Sequence, residues 1–296
     1  MTTPLATPAQ WLEGARPRTL PAAVSPVLAG TGVAAFLDQA VWWKAALALV
    51  VSLALQVGVN YANDYSDGIR GTDADRVGPL RLVGSGLATP RSVKAAAFAA
   101  FGVAVVAGLV LAATTSWWLV LVGALAVLAA WFYTGGSTPY GYHALGEVMV
   151  FVFFGLVAVV GTTYVQTRSF PLPAWYAAIG VGALACAILV ANNLRDLEGD
   201  RATGKRTLAT RLGDEATRRF YLGLLALAGL MIAVVAGLTT GWALLGLLGL
   251  VMLRGAWRRV LEGARGPELI AVLKATGLAE LVSAVGFAVG LVAATL

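Results

Sequence analysis

The chain has 296 residues, of which 59% are hydrophobic and only 12% charged, with a formal net charge of +6 and a single cysteine. Soluble globular domains are roughly half apolar and about a quarter charged, so this balance excludes a soluble domain and indicates an integral membrane protein. Cys186 lies inside an apolar run and has no partner for an intrachain disulfide, so its expected role is packing.

The first 19 residues carry Glu13, Arg16 and Arg18 and lack an apolar core followed by a small-residue cleavage site, so no removable signal peptide is expected. Apolar runs then recur at about 20–37, 41–63, 95–113, 117–134, 146–165, 174–194, 219–237, 242–258 and 276–295. Each approaches the ~20 residues a bilayer-crossing helix needs. The runs are continuously apolar, whereas a membrane barrel shows alternating segments of ~10 residues, so helices are predicted. The expected fold is all-α: a polytopic membrane protein with nine transmembrane helices in one domain over residues 1–296.

Taking the N-terminus as internal puts every one of the 21 basic residues except Lys44 and Arg168 in cytoplasmic segments. The positive-inside rule therefore predicts the N-terminus inside and the C-terminus outside, in the cell membrane. The basic character follows from this loop bias, attracts anionic lipid headgroups and requires no nucleic-acid partner. Trp42, Trp43, Trp117, Trp118, Trp175 and Trp242 fall at the predicted outer ends, as an interfacial aromatic belt does.

Two clusters stand out at the ends of apolar runs: Asn60-Tyr-Ala-Asn63-Asp64-Tyr-Ser-Asp67, and Asn192-Asn193-Leu-Arg-Asp196-Leu-Glu-Gly-Asp200. Helical spacing puts Asn60, Asp64 and Asp67 on one stripe and does the same for Asn192, Asp196 and Asp200, leaving Glu198 elsewhere. Both runs end on the predicted cytoplasmic side. A helix C-terminus carries partial negative charge, so carboxylates there call for a compensating cation. Nearby arginines such as Arg70, Arg76, Arg195 and Arg201 supply one answer. Converging carboxylates supply another, because Mg2+ typically takes one or two of them together with substrate phosphates. The four asparagines would offer neutral oxygens or orient the acids.

With these clusters the chain resembles the UbiA superfamily of intramembrane prenyltransferases. The stretches Arg16-Pro-Arg-Thr-Leu-Pro-Ala-Ala, Asn60 to Asp73, and Gly204-Lys-Arg-Thr-Leu-Ala-Thr-Arg-Leu-Gly213 look most like the branch that prenylates 1,4-dihydroxy-2-naphthoate in menaquinone synthesis. The resemblance implies a nine-helix bundle with a central cavity open to the cytoplasmic face. It also implies a Mg2+-dependent transfer from a polyprenyl diphosphate to an aromatic acid, with metal held by Asp64, Asp67, Asp196 and Asp200, and Asp73 assisting. Arg16 would hold the acceptor carboxylate, with Arg18 as the alternative.

Lys205, Arg206 and Arg70 follow the clusters closely and are candidates for diphosphate contacts; loop topology is their bland role. Tyr133, Tyr140 and Tyr142 lie among Gly135, Gly136 and Gly141 and offer aromatic faces to a cation or ring, or serve as interfacial anchors. His143 reads as a polar loop residue. Glu280 falls in the last run, where an isolated acid is costly and calls for a packing partner or a lipid-facing cavity. Two rival functions remain at this point: prenylation of another acceptor such as 4-hydroxybenzoate or homogentisate, and cation-coupled transport.

Overall fold

A computed structural model describes residues 6–71 and 80–295; Asp73 and Arg76 lie outside the described residues. Those residues are helical, with one isolated β-bridge between His143 and Arg206 and no strand among them. The helices are α1 (Pro8–Gly14), α2 (Pro21–Phe36), α3 (Trp42–Arg70), α4 (Pro90–Thr114), α5 (Leu119–Phe132), α6 (Gly146–Thr167), α7 (Leu172–Arg195), α8 (Leu197–Ala202), α9 (Leu208–Leu212), α10 (Asp214–Leu238), α11 (Gly241–Met252), α12 (Arg254–Leu261) and α13 (Glu268–Ala293).

Each apolar run of the sequence corresponds to a helix, but the lengths differ. Among the described residues α3, α4, α6, α7, α10 and α13 are long and apolar enough to cross a membrane; a broken span made of Pro8–Thr19 and Pro21–Phe36 adds a seventh. The apolar helices α5 and α11 are shorter. This is a multi-pass membrane protein. The run predicted as one helix over 242–258 is interrupted at Leu253 (φ −79°, ψ 0°), and α12 begins there. The interruption has a chemical reason: α12 buries Ala256 and Val260 while Arg254, Arg258 and Arg259 stay exposed. Arg218, itself 5% exposed, donates to the carbonyls of Val260 (2.6 Å) and Ala264 (2.9 Å), satisfying acceptors at the end of α12. The last helix starts at Glu268, eight residues before the predicted run.

The described chain divides into two compact units. The first comprises the N-terminal residues to Leu20 and residues Val50–Gly141. Its core gathers Tyr61, Ala62, Leu82, Val93, Ala97 and Phe101. Helix α4 starts on a Thr89 cap, whose hydroxyl accepts from Ser92 N, with Pro90 in the first turn where a missing N–H costs nothing.

The second unit comprises Pro21–Leu49 and Tyr142–Leu296. Its core is built on α7, with Ala183, Ala187, Val190 and Leu194 packed among Tyr221, Leu253, Leu269 and Val272. Small residues let these helices approach backbone to backbone, as in other membrane bundles. A methyl added at Gly290 of α13 would lie 2.0 Å from the Trp242 carbonyl, and one at Gly249 of α11 would lie 2.2 Å from the Ala279 carbonyl. In α6, whose segment Phe151–Val160 is π-helical, a Cβ at Gly155 would lie 2.7 Å from the Ala178 carbonyl of α7.

Gly290→Val and Gly249→Val are expected to destabilise the protein by about 1–3 kcal/mol through overpacking, read as a lowered thermal midpoint in detergent. Gly108→Ala, where nothing lies within 4 Å of the new methyl, is expected to leave the midpoint unchanged or slightly raised.

Candidate functional site

In the first unit the cluster at the end of α3 is almost wholly buried: Asn60 is 2%, Asp64 1% and Asp67 4% exposed. All three lie within one unbroken helix, as the spacing predicts. The Asp64 carboxylate accepts the backbone N–H groups of Leu82 (2.7 Å) and Val83 (3.1 Å), so it pins the returning segment over the helix end. Arg81 of that segment pairs with Asp67 at 3.4 Å. Asn60 donates to the Ala15 carbonyl (2.8 Å) and to Thr19 Oγ1 (2.9 Å), and Asn63 accepts from Thr134 Oγ1 at 2.7 Å.

Asn60 thereby ties the acids to the turn that carries Arg16. Arg16 sits in the left-handed region (φ 54°, ψ 68°) immediately before Pro17. That conformation is unfavourable for a residue with a Cβ, and more so before proline. It is held by the Arg16 carbonyl, which accepts both Thr19 N and Thr19 Oγ1 at 2.9 Å. The Nε and Nη2 atoms of Arg16 are buried, whereas Arg18 is exposed. Arg70 donates to the carbonyls of Thr134 and Gly136, so it orders the connection after α5.

In the second unit the helix carrying the other cluster ends at Arg195, and Asp196 (φ −90°, ψ 3°) forms a kink before α8. The expected unbroken stripe is therefore corrected to a bent one. Its i to i+4 bonding survives, with Asp196 N donating to the Asn192 carbonyl (3.1 Å) and Asp200 N to the Asp196 carbonyl (2.8 Å). Arg195 grips Asp196 with two bonds of 2.7 Å and Asn192 Oδ1 with one of 2.9 Å. Asp200, 7% exposed, pairs with Lys205 at 3.4 Å, and the same ammonium stands 5.2 Å from the Tyr142 ring centroid. Glu198 is exposed and meets Arg265 at 3.6 Å, outside this set as expected. Arg206 is exposed and bridges to His143 through the backbone.

Tyr133 and Tyr140 meet edge to face at 5.5 Å, and the Tyr140 hydroxyl donates to the Ala129 carbonyl at 2.8 Å. Burial pushes the Tyr140 phenol above its ordinary range. A residue passed over in the sequence is Glu147, 5% exposed, whose Oε1 accepts from Asn193 Nδ2 at 2.8 Å. Glu280 is 1% exposed at the wall of a small pocket lined by Ala29, Val181, Leu184, Ile232 and Phe287, and neither its carboxylate oxygens nor Ser283 Oγ has a hydrogen-bond partner among the described residues. No hydrogen-bond partner for the Glu280 carboxylate is found among the described residues.

Among the described residues no three His, Cys, Asp or Glu side chains come together to hold a metal ion unaided. Asp64 and Asp67 lie one turn apart on α3, and Asp196 and Asp200 flank the start of α8; such hard carboxylates suit Mg2+, which needs one or two when substrate phosphates complete its shell. The model of the UbiA prenyltransferase family matches residues 23–271. The chain belongs to that family. It is 57% identical over 280 residues to the 1,4-dihydroxy-2-naphthoate octaprenyltransferase of Mycobacterium tuberculosis, covering 95% of this chain and 96% of that protein. The Mycobacterium leprae protein of the same name is 55% identical over 95% of both. An Archaeoglobus fulgidus UbiA homolog bound to GPP and Mg2+ shares the fold, with a TM-score of 0.67 at 16% identity over 96% of this UbiA-family chain and 99% of that one.

The Tyr140 shift has a sign. A phenol whose folded pKa is raised contributes stability that is present below the unfolded value near about 10 and is lost as pH rises beyond it. Absorbance titration of the intact protein is expected to ionise Tyr140 after the accessible tyrosines. Tyr140→Phe is expected to remove that late step and part of the alkaline loss of stability.

Proposed function

We propose that the chain transfers a polyprenyl group from polyprenyl diphosphate to 1,4-dihydroxy-2-naphthoate, releasing diphosphate and carbon dioxide to give demethylmenaquinone. The observation that carries this reading is the likeness, over 95% of the chain, to proteins named for that reaction. The family match over residues 23–271 supports treating the chain as one prenyltransferase domain, and the nine apolar runs of the sequence support nine membrane helices. The bias of its basic residues supports an orientation in the cell membrane with the N-terminus and the acidic clusters inside and the C-terminus outside.

The carboxylates of Asp64, Asp67, Asp196 and Asp200 would hold Mg2+ together with the diphosphate, and Asp73 would assist. Bound Mg2+ neutralises diphosphate charge and makes it a better leaving group as allylic cation character develops. Asn60, Asn63, Asn192 and Asn193 would offer neutral oxygens or orient the acids, Asn192 through the Arg195 that it shares with Asp196. Lys205 supplies an ammonium between Asp200 and the Tyr142 ring, suited to a diphosphate oxygen, with Arg206 and Arg70 as further cationic contacts. Arg16 holds the acceptor carboxylate with the planar fork that such a group matches; its partly buried guanidinium favours it over Arg18. The faces of Tyr133 and Tyr140 stabilise positive charge on the prenyl group or stack on the naphthalene ring.

Two alternatives yield to particular observations. Another aromatic acceptor leaves the diphosphate chemistry unchanged, and the names of the relatives favour naphthoate. Ion-coupled transport would call for acids near the membrane midplane on broken helices, whereas both clusters here stand at helix C-termini.

Membranes containing the protein, supplied with a polyprenyl diphosphate and a panel of aromatic acids, are expected to release diphosphate with dihydroxynaphthoate and only with Mg2+. Asp64→Asn and Asp196→Asn are each expected to lower kcat by roughly 100-fold or more, on the scale of losing a charge-stabilising group. Activity undiminished by a chelator, or by both substitutions together, would sink the metal assignment; a preference for 4-hydroxybenzoate would sink the acceptor assignment.

A further inference from the structure

Glu147 has no role in the chemistry above, yet it is buried beside the second cluster in the first turn of α6, where the helix dipole favours an anion. Its Oε1 takes the Asn193 amide at 2.8 Å, and its carbonyl accepts the Cys186 thiol at 3.1 Å. The Glu147 oxygen accepts in this bond, whereas an asparagine amide offers a donor end and an acceptor end. The 2.8 Å bond therefore fixes which way round Asn193 stands: nitrogen toward Glu147, carboxamide oxygen away from it.

We propose that Glu147 is a positioning residue for the diphosphate half of the site, setting the orientation of Asn193 without touching substrate. The proposal rests on the reading of the Asp196–Asp200 cluster as a diphosphate site. It predicts a split between the substrates that a purely structural acid would not produce. Glutamine fills the same volume but brings an amide in place of the carboxyl group, so it lets Asn193 turn over.

In full-length protein, Glu147→Gln is expected to raise KM for the polyprenyl diphosphate by about 10-fold or more, as loss of an orienting partner commonly does. KM for the aromatic acid and the thermal midpoint are expected to stay near their original values. Asn193→Ala added to Glu147→Gln is expected to cost less than the two single effects combined, because both act through one bond. Glu147→Asp, which keeps the carboxyl group, is expected to recover part of the loss. Equal shifts in both KM values, additive effects, or a Gln variant that cannot be purified folded would each overturn the proposal and leave Glu147 a structural acid. Asp200→Asn separates this from the underlying reading. If that variant keeps full activity, the diphosphate assignment itself fails; if it is inactive while Glu147→Gln is normal, only the positioning role fails.

Discussion

A carboxylate withdrawn from water must be given donors or a cation, and much of the architecture around both acidic clusters is an answer to that demand. At the end of α3 the donors are main-chain amides: Asp64 takes Leu82 N and Val83 N, and the path of the segment after the helix is set by where those amides must be. At the end of α7 the answer is a guanidinium from the adjacent residue, Arg195, which grips both oxygens of Asp196. Both helix ends carry partial negative charge, so the acids stand where the backbone itself resists them. Arg81, Arg195 and Lys205 meet that cost.

The scaffold that holds these ends still depends on a different economy of atoms. Gly249, Gly286 and Gly290 allow α11 and α13 to touch through their backbones, and Gly155 and Gly182 do the same for α6 and α7. Close contact of this kind replaces the hydrophobic driving force that a lipid environment does not supply between helices. α6 carries Glu147 and α7 carries Asn193, so this crossing also fixes the distance across which those two side chains bond.

What could be read in the sequence was what repeats or contrasts. The helices were legible as apolar runs, and the Asn60, Asp64, Asp67 stripe was legible because its whole length lies in one helix. The second stripe was read as unbroken, and the kink at Asp196 was missed because no glycine or proline marks it. The division at Leu253 had a signal, the cluster of Arg254, Arg258 and Arg259, that a long apolar run obscured. Asp64's amide partners were out of reach, since a bond between residue 64 and residues 82 and 83 leaves no local pattern. Glu147 was out of reach for the same reason: one acid at the start of an apolar run looks like a cap until Asn193 is seen beside it.

Arg16 adds a consequence for how this protein can change over time. Its left-handed backbone before Pro17 stores strain of about 1–3 kcal/mol, and glycine would relieve that strain at the expense of the side chain. A sturdier backbone and a guanidinium side chain therefore cannot both be had at position 16, and an arginine kept there is kept against the stability of its own turn.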